Sequence, residues 1–188
     1  MYQICVSGAA RGESVEKGKQ LAEELGRAIA KAGHSLMTGA TVGLPNYAAE
    51  AYKKAGGKMS VGISPAASKV EHIVKYQLPI KAYDTILFTG LHYVGRDTLL
   101  ISSSDAVICL GGRIGTLHEF AIAYETETPI GFLNGAGGVS DKVKEIIEVA
   151  KPMRNESPII FNPDADKLVA EITAILDKEQ GKYKNLFR

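Results

Sequence analysis

Apolar positions along the chain alternate between short continuous runs and longer series with helical spacing. Tyr2–Ser7 is a short run rich in Ile and Val that stops at Gly8, and it predicts a strand. From Ser14 the apolar residues Val15, Leu21, Leu25 and Ile29 recur at helical spacing to about Ala32, and Gly33 supplies the stop. Ser35–Thr38 predicts a second strand, Pro45–Ala55 a helix closed by Gly56 and Gly57, and Met59–Ile63 a third strand. Between Ser64 and Asp84 the pattern weakens around Pro65 and Pro79. This stretch exceeds an ordinary connection and reads as a surface segment near the site, with room for a short edge strand.

Thr85–Thr89 then predicts a fourth core strand, Val94–Ser103 a helix and Ala106–Leu110 a strand. Gly115–Glu125 predicts a helix, Ile130–Leu133 a strand, Ser140–Ala150 a helix, Ile159–Phe161 a short strand and Asp164–Asp177 a last helix. Ser140 and Asp164 are the residue types that cap helix N-termini. Strands alternating with helices imply an α/β, Rossmann-like, doubly wound and mostly parallel sheet with helices on both faces. Uniformly apolar runs such as Ala106-Val107-Ile108-Cys109-Leu110 fit strands covered on both sides. The expectation is one domain over residues 1–178 and a polar tail over 179–188, ending Asn185-Leu186-Phe187-Arg188.

Composition narrows the chemistry. A length of 188 residues suits one domain, and 45% hydrophobic with 23% charged residues excludes disorder and collagen-like repeats. A net charge of +1 leaves no electrostatic footprint for nucleic acid or an anionic membrane. No apolar run approaches the ~20 residues that a membrane helix needs. The start, Met-Tyr-Gln-Ile-Cys-Val-Ser-Gly, lacks the pattern of a secretory signal, so a cytoplasmic location is expected. Two cysteines, Cys5 and Cys109, can build neither a disulfide framework nor a four-cysteine zinc site, and both fall in strands where buried structural thiols are usual. His34, His72, His92 and His118 show no ligand spacing, so no metal is expected.

In an open parallel sheet, ligands bind beyond the carboxyl ends of the strands, where the strand order reverses. Four glycine-rich loops are expected there: Ser7-Gly8-Ala9-Ala10, Thr38 to Gly43, Gly111 to Thr116, and Asn134 to Gly138. Glycine admits close backbone approach, and free amides at a helix N-terminus hold phosphate. Tight turns alone would also explain any single loop; four at one edge favour a phosphate-bearing ligand. The P-loop pattern is absent, and the dinucleotide fingerprint fails at Leu110 and at Asn134.

The segment from Gly95-Arg96-Asp97 through Gly111-Gly112-Arg113-Ile114-Gly115-Thr116-Leu117-His118-Glu119 resembles the LOG (Lonely Guy) family of nucleoside 5′-monophosphate phosphoribohydrolases, often mislabelled lysine decarboxylases. The family's P-G-G-x-G-T-x-x-E motif falls without a gap on Gly111–Glu119, and its upstream arginine falls on Arg96. Its early glycine motif resembles Thr38-Gly39-Ala40-Thr41-Val42-Gly43-Leu44, and the likeness runs from Tyr2 to Leu133. Gly111 stands in place of the motif proline, Arg113 in place of its second glycine, and Asp97 in place of the lysine or asparagine after the arginine. These departures resemble the broader branch that includes molybdenum-cofactor carrier proteins.

The resemblance implies hydrolysis of a nucleoside 5′-monophosphate, a purine one first, to free base and ribose 5-phosphate, with no cofactor. The alternative is a non-catalytic carrier of a nucleotide or molybdenum cofactor. The resemblance to the hydrolases assigns Arg96 and Glu119 to catalysis. Ser7, Gly8, Gly39, Gly43, Gly111, Gly112, Arg113, Ile114, Gly115 and Thr116 would hold the nucleotide and its phosphate. Arg11 is a further phosphate candidate, and His92 and His118 lie near enough to touch substrate. A homodimer or higher homo-oligomer is also implied. Thr116-Leu117-His118-Glu119 is at the same time a formal capping box, in which Glu119 would return to the helix backbone.

Overall fold

The computed structural model describes residues 1–150 and 158–182. Seven strands form one sheet, every pairing parallel: β1 (Gln3–Gly8), β2 (Ser35–Thr38), β3 (Ser60–Ser64), β4 (Thr85–Phe88), β5 (Ala106–Leu110), β6 (Ile130–Leu133) and β7 (Ile159–Asn162). Their order is β4-β3-β2-β1-β5-β6-β7. The chain winds outward from β1 to β4, crosses back to lay β5 beside β1, and winds outward again. The strand order therefore reverses between β1 and β5, and the loops leaving those two strands part to opposite faces.

The period-two alternation of the central strands assigns each face its helices. Ile4, Val6, Leu36, Ile108 and Leu110 point to one face, against α1 (Glu13–Lys31), α2 (Leu44–Lys54) and α6 (Ala165–Gly181). Cys5, Met37, Ile63, Val107 and Cys109 point to the other, against α3 (His92–Ser102), α4 (Ile114–Glu125) and α5 (Val143–Ala150). Gly26 brings α1 and α2 close: a Cβ there would lie 2.1 Å from the Ala48 carbonyl oxygen. Asp164 caps α6 as its type suggests, accepting from the Lys167 amide at 3.1 Å.

Four sequence expectations change. Thr85–Phe88 is the edge of the sheet, half exposed along its length, and not a core strand. The described residues between Ser64 and Asp84 hold no strand; they form a π-helical turn at Glu71–Lys75. Ser140 does not cap a long helix. It lies in a 3-10 turn, Gly138–Asp141, and its hydroxyl donates to the Gly111 carbonyl at 2.7 Å, which holds the two loops together instead. The last helix continues to Gly181 through Lys178-Glu179-Gln180, polar residues with good helix propensity. The expected tail end, Asn185 to Arg188, lies outside the described residues.

Candidate functional site

A cavity of about 400 Å³ opens at the carboxyl edge of the sheet, at the β1/β5 reversal. The end of β1 supplies Ser7 and Gly8, the loop after β2 supplies Gly39 and Thr41, α3 supplies Tyr93, Arg96 and Asp97, and the start of α4 supplies Arg113, Ile114, Gly115, Thr116 and Glu119. Nine of the twelve residues expected from sequence thus meet at one cavity.

Gly43, Gly111 and Gly112 stand behind that lining, for steric reasons. A Cβ at Gly43 would fall 2.4 Å from the Ala9 carbonyl oxygen, at Gly111 2.9 Å from Ser14, and at Gly112 2.2 Å from Thr116 Oγ1. All three also have positive φ, at 81°, 58° and 95°. They let the loops pack on one another. The 3-10 turn that follows the Asn134–Gly138 loop is likewise a buttress: Val139 and Ser140 donate their amides to the Gly112 and Gly111 carbonyls at 3.0 and 3.3 Å. Arg11 does not line the cavity.

The centre of the cavity is a buried charged cluster. Arg96 Nη1 lies 3.3 Å from Glu119 Oε1 and 3.2 Å from Asp97 Oδ1, and all three side chains are at most 9% exposed. The Ser7 hydroxyl donates to Glu119 Oε2. Gly39 makes the arrangement possible, because a Cβ there would stand 2.0 Å from Arg96 Nη1. The guanidinium lies against bare backbone. Asp97 Oδ2 meets His118 Nδ1 at 2.8 Å, while Asp97 Oδ1 and Arg96 Nε make no hydrogen bond among the described residues.

The capping-box reading fails here. Arg113 holds the N-cap position of α4, so Thr116 and Glu119 lie inside the helix and neither is placed to close the box. Glu119 turns inward to Ser7 and Arg96 instead. Burial pushes its carboxyl above the usual glutamate range; Asp97 adds to that rise, while Arg96, Ser7 and His118 oppose it. A carboxylate so placed can take a proton or stabilise positive charge that develops beside it.

The first main-chain bond of α4 is Leu117 N–H to Arg113 O at 3.0 Å. The amides of Ile114, Gly115 and Thr116 precede that ladder at the positive end of the helix dipole, beside the exposed Arg113, and all four residues line the cavity. No group of three or more His, Cys, Asp or Glu suited to a metal occurs among the described residues. Tyr93, Thr41 and the Asp97–His118 contact carry no motif signal as site features. In sequence Asp97 is only a departure from the motif, and its position next to Arg96 is the one signal that places it near the site. His92 instead meets the Tyr76 hydroxyl at 2.8 Å.

Residues 1–168 match the SLOG cluster4 family. The chain belongs to that family. An uncharacterized protein of Archaeoglobus fulgidus is 34% identical over 123 residues, covering 65% of this chain and 74% of that one. The X-ray structure of TM1055 superposes with a TM-score of 0.78 at 25% identity, over 93% of this chain and 99% of that one. The molybdenum cofactor binding protein from the phototrophic bacterium Rippkaea orientalis superposes with a TM-score of 0.73 at 27% identity, over 93% and 97%. The Rossmann-like fold and the LOG and molybdenum-cofactor-carrier kinship read from the motifs are those of its relatives. No helix among the described residues is long and apolar enough to cross a membrane.

Proposed function

We propose that the cavity binds a nucleoside 5′-monophosphate and hydrolyses its N-glycosidic bond, giving free base and ribose 5-phosphate. The observation that carries this reading is Glu119, buried between the Ser7 hydroxyl and Arg96 and lining the same cavity as the N-terminus of α4. The 5′-phosphate rests on the amides of Ile114, Gly115 and Thr116, with Arg113 as its counter-ion. Ser7, Gly8 and Gly39 line the nucleoside side.

Cleavage builds positive charge on the ribose ring. The carboxylates of Glu119 and Asp97, both held at Arg96, favour that cation. Ionised Glu119 takes a proton from water as the water oxygen bonds to C1′. The C1′–N bond breaks and its electron pair leaves with the base. The proton held by Glu119 is the one the free base needs, so the sum is nucleotide plus water giving base plus ribose 5-phosphate. Arg96 and Ser7 fix the carboxylate in place.

The likeness to the R. orientalis protein favours a second reading, in which the cavity holds a phosphate-bearing cofactor without turnover. The α4 amides and Arg113 fit its phosphate equally well. Asp97 and Glu119 fit an oxyanionic metal centre poorly, because they would repel it. Incubation with a panel of nucleoside monophosphates separates the two. Hydrolysis gives base and ribose 5-phosphate in equal amounts; saturable binding with no release of base from any nucleotide overturns it.

The same reading includes self-association. Leu91, Val94, Leu99 and Ile114 are 45–78% exposed on α3, at its start and at the mouth of the cavity. Exposed apolar side chains at this end of the molecule favour a second copy of the chain as cover. Light scattering at micromolar concentration should then give a dimer or higher species, and a monomer would remove this part.

A further inference from the structure

Tyr93 is the one aromatic ring among the residues lining the cavity, and none of the polar chemistry above uses it. It stands on α3 one turn before Arg96 and Asp97, at i and i+3 or i+4, so all three share one helix face. Tyr93 is 46% exposed, which leaves part of its surface free to meet a ligand. The ring is also held. Tyr76, from the segment between β3 and β4, meets it at 5.6 Å with the planes at 76°. The Tyr76 hydroxyl meets His92 Nδ1 at 2.8 Å, and the His92 amide donates to the Pro65 carbonyl at 3.0 Å.

These contacts hold His92 at φ 56°, a left-handed conformation uncommon for a residue other than glycine, immediately before Tyr93. Buried His72 fixes the rest of the segment through Ser64 Oγ at 2.8 Å and the Pro79 carbonyl at 3.1 Å. The long segment between β3 and β4 is therefore a brace for the start of α3.

We infer that Tyr93 is the stacking platform for the base, and that Tyr76 is a positioning residue that holds it. This rests on the nucleotide reading of the cavity. Side chains at i and i+3 of a helix stand about 5–6 Å apart at Cβ. The base is bonded directly to the carbon that Glu119 addresses, so a base at Tyr93 and a phosphate at the α4 N-terminus place C1′ between them, at Glu119. Every base has a π-face, so Tyr93 selects planar aromatic heterocycles as a class; discrimination among bases must come from other contacts.

The test is equilibrium binding to Glu119→Gln, in which turnover is slowed, with AMP, GMP, CMP, UMP and ribose 5-phosphate as probes. Adding Tyr93→Ala should weaken the tightest nucleotide by about tenfold or more and leave ribose 5-phosphate unchanged. Tyr93→Phe should bind as before, because the ring remains. Tyr76→Ala should shift nucleotide binding in the same direction by less, with ribose 5-phosphate again unmoved. Unchanged nucleotide binding in Tyr93→Ala, or equal weakening of nucleotide and ribose 5-phosphate, overturns the platform while the phosphate site stands. Failure of every probe to bind the Glu119→Gln protein overturns both readings.

Discussion

Gly39 and Arg96 are a matched pair: the guanidinium occupies the space where any Cβ at position 39 would stand, 2.0 Å from Nη1. The backbone at Gly39 is not in the positive-φ region, so alanine is acceptable to the main chain. Its methyl group must instead push Arg96 off Glu119. Gly39→Ala should therefore keep the fold, lose some stability, and lose turnover by about tenfold or more, since small misplacements at a reacting centre are costly. Native turnover in Gly39→Ala would show that the Arg96–Glu119 contact is dispensable.

Glu119 sets a pH dependence whose sign is fixed by its burial. Its carboxyl is raised above the ordinary value near 4.5, with burial the largest cause. A base must be ionised, so turnover should rise with pH through that raised value. Asp97 adds to the rise, and Asp97→Asn should move this acid limb to lower pH. A raised carboxyl also means that the folded chain resists ionisation. Stability gained below the unfolded value is lost as pH rises through the folded one. Relative to Glu119→Gln, the native chain should lose stability over that window, read as a falling difference in urea midpoints. A difference that grows with pH would contradict the assignment.

Close approach of α1 to α2 gives a stability prediction independent of function. Gly26→Ala would place a methyl group 2.1 Å from the Ala48 carbonyl oxygen, which is backbone and cannot rotate away. The helices must separate, and the cost should be about 1–3 kcal/mol, measured by denaturant unfolding. A stabilised variant would mean that the helices adjust freely.

Cys5 and Cys109 are both free and buried in the central strands, and burial pushes both thiols above the usual range. An aromatic disulfide reagent should modify neither in the folded protein and both after unfolding. Fast modification under native conditions would place a reactive thiol where the account has an inert one.

Alternation of apolar runs made the parallel sheet legible, because β1, β2 and β5 are buried on both faces and read as continuous apolar stretches. The same signal misplaced β4: Ile86 and Phe88 are half-buried while Thr85 and Leu87 are exposed, so its apolar residues did not report a core position. Local pattern also favoured a capping box at Thr116–Glu119. The helix starts earlier than that box requires, and the partner of Glu119 is Ser7, 112 positions away. Long-range polar pairs such as Asp97–His118 leave no periodicity in a sequence. Motif spacing points to Arg96 and Glu119, which the fold brings together, whereas Tyr93 belongs to no motif and its place depends on the cavity lining and on the contact with Tyr76.

The central claim is that Glu119 performs the chemistry. Its most direct test compares the native chain with Glu119→Gln on the best nucleoside monophosphate, following base release by chromatography and nucleotide binding in parallel. The account predicts that turnover falls by about 100-fold or more while the nucleotide still binds. Glu119→Gln releasing base at a near-native rate would contradict it.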